Sequence, residues 1–203
     1  YGRLTKSKRG MILQSGGAVI AFVGPEATGK STLLTNTKRW LGEHFVLEQV
    51  HAGKPKSTLI TVLPNALLPL LRSALPTYRP SKVVTQQLTS EQYQKPAKVY
   101  PLITAIRSVL LAYDRKILLS RAFAKAANGN IVLCDRYPSM SDGAPDGPQL
   151  QQFVIDPKKY PVRSWLARTE KRLYKEIPAP DMVISLYVPV DVAITRNKNR
   201  GKE

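Results

Sequence analysis

At 203 residues, 43% hydrophobic and 22% charged, the chain is long enough for one well-buried domain and ordinary in composition for a globular protein. Its 31 lysines and arginines against 14 acids leave a net charge of +17, a field that attracts nucleotides, nucleic acid or an acidic membrane surface. One cysteine excludes an internal disulfide and points to a reducing cytoplasm, so the expected location is cytoplasmic.

No N-terminal stretch combines a basic start, an apolar core and a small-residue cleavage site. Residues 1–14 carry Arg3, Lys6, Lys8 and Arg9 without an acid and read as a basic N-terminal tail. Residues 18–23 are a short apolar run ending at glycine, the pattern of a strand buried on both faces of a parallel sheet. A helix is predicted over residues 30–42, with Leu33, Leu34, Thr37 and Leu41 on one side, and a second strand over 45–50. Residues 51–98 hold six prolines and one acid, Glu91, and read as a loop and short-helix insertion. Within 58–75, the most apolar run, Pro64, Asn65, Pro69 and Arg72 interrupt too often for a membrane-spanning helix.

A long helical period covers 102–128, with Ile106, Leu110, Ile117, Leu118 and Phe123 as core candidates, and Asn128-Gly129-Asn130 stops it. A third strand is expected at 131–134, turns at Asp142-Gly143 and Asp146-Gly147, a helix at 164–175, a fourth strand at 182–188 and a helix from 190 to 200. Strands alternating with helices predict a three-layer α/β P-loop sandwich, a parallel sheet flanked by helices. The P-loop domain is expected to span 15–203. The chain starts at Tyr1 and stops at Glu203 just after a helical pattern, so it reads as a fragment.

Gly24-Pro25-Glu26-Ala27-Thr28-Gly29-Lys30-Ser31 matches G-x-x-x-x-G-K-S in full, the Walker A pattern, after an apolar strand and at the start of a helix. The glycines let the backbone turn its N–H groups onto phosphate oxygens, and the helix N-terminus adds positive potential. Lys30 would reach the β- and γ-phosphates and Ser31 would ligate Mg²⁺, with Thr32 following in the first turn. ATP and Mg²⁺ are the cofactors this pattern implies. The strand 131–134 leads into Asp135, and ligands in open α/β sheets sit at the carboxyl ends of strands. Asp135 would hold Mg²⁺ through water or accept a proton from an attacking hydroxyl. His44 and His51 lack metal-ligand spacing and read as ordinary surface histidines. Cys134 reads as a small buried hydrophobe, and Lys54 and Lys56 as a solvated basic loop.

Three segments resemble the thymidylate kinase group of P-loop nucleoside and nucleotide kinases. They are Glu26 at the third P-loop position, the blocks 110–115, 128–129 and 132–137, and the block 180–190. By that resemblance Glu26 lies beside the acceptor's sugar, Arg136 holds the acceptor's phosphate near the γ-phosphate, and Arg115 contacts the acceptor. Thr195-Arg196 and Arg200 would lead into an arginine-bearing lid that closes over the phosphates. The lid, last strand and closing helix of that group would lie beyond Glu203, and a homodimer would fit the resemblance. Residues 51–56, His-Ala-Gly-Lys-Pro-Lys, depart from an Arg-Glu-Pro-Gly-type segment, and the loop after Tyr137 lacks a thymidylate-contacting pattern. The acceptor expected is therefore not thymidylate.

The leading expectation is ATP-dependent phosphoryl transfer to a nucleotide, nucleoside or similar small acceptor. Lys30, Asp135 and Arg136 would be catalytic, residues Gly24, Glu26, Ala27, Thr28, Gly29, Lys30, Ser31, Thr32 and Arg196 would bind ATP, and Ser31 with Asp135 would hold the metal. The alternatives are a kinase of a non-nucleotide small molecule, such as a sugar or envelope precursor, and an ATP-binding switch or nucleic-acid-associated module. No aromatic-basic cluster or groove-reading motif in the sequence supports the last.

Overall fold

The computed structural model describes residues 10–53, 55–58, 61–62, 102–140, 146–152 and 156–198. Their elements run β1 (Ala18–Val23), α1 (Lys30–Gly42), β2 (Leu47–His51), α2 (Leu102–Ala127), β3 (Ile131–Asp135), a 3-10 turn (Leu150–Gln152), α3 (Pro161–Lys175), β4 (Met182–Ser185) and α4 (Val190–Lys198). The chain packs as two units. The first comprises Tyr1–Lys54, Leu118–Pro138 and Ile177–Glu203, and the second Pro55–Ile117 and Ser139–Glu176.

In the first unit all strand pairings are parallel, in the order β2-β3-β1-β4. Alternation along the strands divides the apolar residues between two faces. Val19, Ala21, Val50, Val132 and Cys134 pack with Leu119, Ala122 and Ala126 of α2. Ile20, Phe22, Ile131, Leu133 and Leu47 pack with Leu34 of α1. Helix on sheet on helix is the predicted layering, and with the loop from β1 into α1 it is the fold of a P-loop NTPase.

Boundaries and some core assignments differ from the sequence reading. Residues 186–188, expected in β4, leave the ladder after Ser185, although Leu186 N still donates to Val23 O at 2.9 Å. The helix expected at 164–175 starts earlier, because Pro161 suits a first-turn position with no backbone donor. Ile106 is 39% exposed, and alanines at 105, 112, 122 and 126 are buried along α2 instead. Leu118 and Phe123, expected in the core, do pack against it, while small side chains that let the helix approach closely supply the rest of that face. Of the expected tail, residues 10–14 are described, and Met11 forms a parallel bridge to Phe45 while Leu13 N donates to Gly129 O at 3.0 Å. The expected insertion 51–98 lies mostly outside the described residues.

Cys134 is fully buried in β3, and burial pushes its thiol up to about 12. Its alkylation at pH 8 is expected to be over ~100-fold slower in the folded protein than in urea, as followed by mass spectrometry. The same shift makes stability fall as pH rises above about 9, because only the unfolded chain ionises there.

In the second unit Ala105, Leu150, Leu166 and Ala167 form an apolar cluster with Val109. Among the described residues no buried side-chain nitrogen or oxygen lacks a partner. Glu170, 1% exposed, accepts from Gln149 N at 3.1 Å and Leu150 N at 2.8 Å, and so holds the 3-10 turn on α3. Asp114 accepts from Thr61 Oγ1 at 2.6 Å and from Thr58 N at 3.0 Å. On the outer side of α3, Lys159 and Arg163 stand over the Tyr160 ring at 5.6 and 5.1 Å, with Trp165 58% exposed nearby in sequence.

Candidate functional site

The turn between β1 and α1 has the backbone that its glycines allow. Gly24 and Gly29 have φ of 141° and 93°, and Ala27 between them has φ of 60°. Thr28 Oγ1 donates to Pro25 O at 2.9 Å, closing the curl from inside. Lys30, 8% exposed, folds its side chain across the loop, with Nζ donating to Gly24 O at 2.8 Å and to Pro25 O. The ammonium is thus held at the loop that surrounds it, where it faces an incoming anion without a long search of rotamers. From α4, Arg196 Nη1 donates to Ala27 O at 3.2 Å, which ties that helix to the loop.

The same cleft is reached from β2 and β3. It has a volume of about 170 Å³, and its walls include the loop residues 26–32 together with His51, Asp135, Arg136 and Asn197. Asp135 ends β3, and register with β2 sets it opposite His51. The pair is joined by a bond of 2.9 Å between His51 Nδ1 and Asp135 Oδ2. Arg136 Nη2 lies 3.5 Å from Glu26 Oε1, an ion pair with Glu26 mostly exposed and therefore weak. Arg136 also has φ of 66°. Ala27 and Arg136 are the non-glycine residues with left-handed φ among the described residues, and both line this cleft. Backbone strain of that kind, on the order of 1–3 kcal/mol each, gathers at ligand sites.

Of the residues singled out in the sequence, Glu26, Ala27, Thr28, Gly29, Lys30, Ser31, Thr32, Asp135 and Arg136 share this cleft. Gly24 and Arg196 bond to its members. Arg200 and Lys54 lie outside the described residues. Arg115 belongs to the second unit, is 3% exposed, and donates to Tyr174 Oη at 2.5 Å and to Asp146 Oδ1 at 3.2 Å. Its alanine variant is expected to lose about 3 kcal/mol in urea unfolding, because it strands a buried hydroxyl and a carboxylate. A loss below 1 kcal/mol would show that those bonds contribute little.

Sequence reasoning did not place His51 or Asn197 at the cleft. For His51 a signal existed: it ends a strand of a parallel sheet, at the carboxyl side where ligands of such sheets sit. No comparable signal marks Asn197, one residue past Arg196.

No family model matches the chain. Over 182 residues it is 27% identical to the ATP-binding protein YghR of Escherichia coli strain K12, spanning 88% of this chain and 68% of that protein. It is 26% identical over 187 residues to the ATP-binding protein YghS of the same strain, spanning 88% and 72%. Among solved structures it is similar to thymidylate kinase from Ehrlichia chaffeensis, at 17% identity and a TM-score of 0.44, covering 91% of this chain and 79% of that one. That likeness has no bearing on reaction or substrate. No helix of the described residues is long and apolar enough to cross a membrane.

Proposed function

We propose that this protein is a P-loop kinase that binds ATP with Mg²⁺ in the cleft and transfers the γ-phosphoryl group to a small acceptor. A nucleotide, nucleoside or similar molecule other than thymidylate fits best. The observation that carries the reading is the convergence of a complete P-loop, Asp135 and the Arg136–Glu26 pair on one cleft. Its similarity to two proteins named as ATP-binding supports the nucleotide.

In this reading Lys30 and the loop amides take up charge on the β- and γ-phosphates, and Arg196 adds a cation beside them. Arg136 presents a planar fork to the acceptor's phosphate, and Glu26 lies at the acceptor side. Arg115 joins them through the resemblance alone, since its bonds are to Tyr174 and Asp146. The Ser31 hydroxyl and Asp135 carboxylate are hard oxygen donors on the cleft wall, a set suited to a cation that takes few protein oxygens beside phosphate and water. Ser31 and Asp135 would hold Mg²⁺ there, and the ion would supply positive charge that offsets the negative charge of the phosphates. The chain's own work is positioning and electrostatics.

The test is ADP release from Mg-ATP with a panel of nucleosides, nucleoside monophosphates and phosphosugars. Acceptor-dependent turnover is expected, and its best substrate separates a nucleotide kinase from a sugar or envelope-precursor kinase. Tight ATP binding without turnover on any acceptor would overturn the kinase reading. A second reading, a nucleic-acid-associated module, is favoured by the basic cluster around Tyr160. It requires polymer binding whose affinity falls steeply with salt.

A further inference from the structure

The end of β2 does more than pass the chain on. Parallel register aligns Val50 with Cys134 and His51 with Asp135, so the last side chains of β2 and β3 fall on the same face. The ladder then continues for one more bond, with Ala52 N donating to Asp135 O at 3.1 Å. From the opposite side Arg136 N donates to Phe22 O at 3.0 Å. The peptide between Asp135 and Arg136 is therefore held by both neighbouring strands. What this backbone frame leaves open is rotation of the Asp135 carboxylate about its own side-chain bonds.

His51 restrains that rotation. A carboxylate only accepts, so the ring donates through Nδ1 to Oδ2 at 2.9 Å. The ring lies beside Arg136 across Gly53. A Cβ at Gly53 would stand 3.5 Å from His51 Nε2 and 2.5 Å from Arg136 Cδ. Glycine at 53 thus leaves room for the arginine stem against the β2 exit. The charged groups that share the cleft with the pair are Glu26, Lys30 and Arg136.

We propose that His51 is a positioning residue: its bond to Oδ2 turns the Asp135 carboxylate so that Oδ1 serves the hydration shell of a divalent cation on the bound nucleotide. The inference deepens the kinase reading and rests on its assignment of Asp135 to the metal. An imidazole on a metal-side carboxylate is an outer partner of the site, and loss of such a partner costs roughly 10–100-fold in metal affinity. With a ring 43% exposed, its removal opens no core cavity.

The experiment titrates Mn²⁺ against the full chain with ATP present, following free Mn²⁺ by electron paramagnetic resonance. His51→Ala is expected to weaken Mn²⁺ binding about 10–100-fold, and His51→Asn, which keeps a donor, to recover most of it. ATP affinity in EDTA should stay within about twofold for both variants, because the ring bonds to the Asp135 carboxylate rather than to the P-loop. In an Asp135→Asn background, His51→Ala should add less than about twofold, since the effect passes through the carboxylate. Unchanged Mn²⁺ affinity in His51→Ala, losses that add in the double variant, or a matching loss of ATP affinity in EDTA would each overturn the inference. Wild-type protein that binds Mn²⁺ with ATP but turns over no acceptor would refute the kinase reading and leave this result standing. Wild-type protein that binds no Mn²⁺ with ATP present would overturn both the metal assignment and the role of His51.

Discussion

Replacing Lys30 by alanine is expected to lower acceptor-dependent ADP release by about three orders of magnitude, at the upper range for one charge-stabilising donor. The size follows from placement. Lys30 Nζ is held at 2.8 Å from Gly24 O inside the loop, so it needs little rearrangement to meet phosphate oxygens. Preorganised charge in a restricted site contributes far more to the transition state than a mobile surface lysine does. The fold should tolerate the change, because Gly24 and Pro25 are exposed and water can replace the ammonium at their carbonyls. A melting temperature within a few degrees of wild type, together with lost turnover, is the expected pair of results. Turnover within tenfold of wild type would mean that the loop is not the phosphate site.

Gly24→Ala is expected to cost about 3 kcal/mol or more in unfolding free energy and to remove ATP binding as well. Two effects add at this position. Its φ of 141° lies where only glycine is at ease, a strain of about 1–3 kcal/mol for any other residue. A Cβ there would also stand 2.3 Å from Leu186 O, and that backbone is tied to β1 by Leu186 N donating to Val23 O. The carbonyl can retreat only by breaking the last bond between β1 and β4. Gly29 offers the contrast within the same loop. Its φ is 93°, but nothing lies within 4 Å of the added Cβ, so Gly29→Ala should cost only the strain, about 1–2 kcal/mol. Isothermal urea unfolding of the two variants checks the ranking. Equal losses would show that the approach of Leu186 is relieved at no cost.

Much of this site is legible in the residues alone, for a local reason. A P-loop is eight consecutive residues whose glycines dictate the turn and whose next residues start a helix, so its shape requires no distant partner. Asp135 is legible almost as directly. It follows a run buried on both faces, and strands of parallel sheets end at the ligand side. The alternation of short apolar runs with helical periods likewise carries the layered α/β architecture.

Other features depend on strand order and packing between remote segments. His51 becomes a partner of Asp135 only because β2 lies next to β3 in register, 84 residues apart in the chain. Spacing rules written for metal ligands or catalytic pairs do not see such a neighbour. Arg115 illustrates the converse. Its helical position and family-like block point to a substrate, and the bonds to Tyr174 and Asp146 come from packing of α2 against α3 and the loop before it. Ile106 fails for a related reason. Beside Leu119, alanines at 105, 112, 122 and 126 supply much of the buried surface of α2, and a period read from bulky side chains alone cannot register close approach by small ones.

By itself, then, the sequence determined the phosphate loop, the strand that ends in Asp135 and the parallel α/β frame, because each is encoded within one short segment. The tertiary structure alone decided that His51 belongs to Asp135, that Arg196 ties α4 to the loop, and that Arg115 is engaged by Tyr174. Each of those relations joins segments distant in the chain, and the hydrogen bonds that define them form only once the strands and helices have found their neighbours.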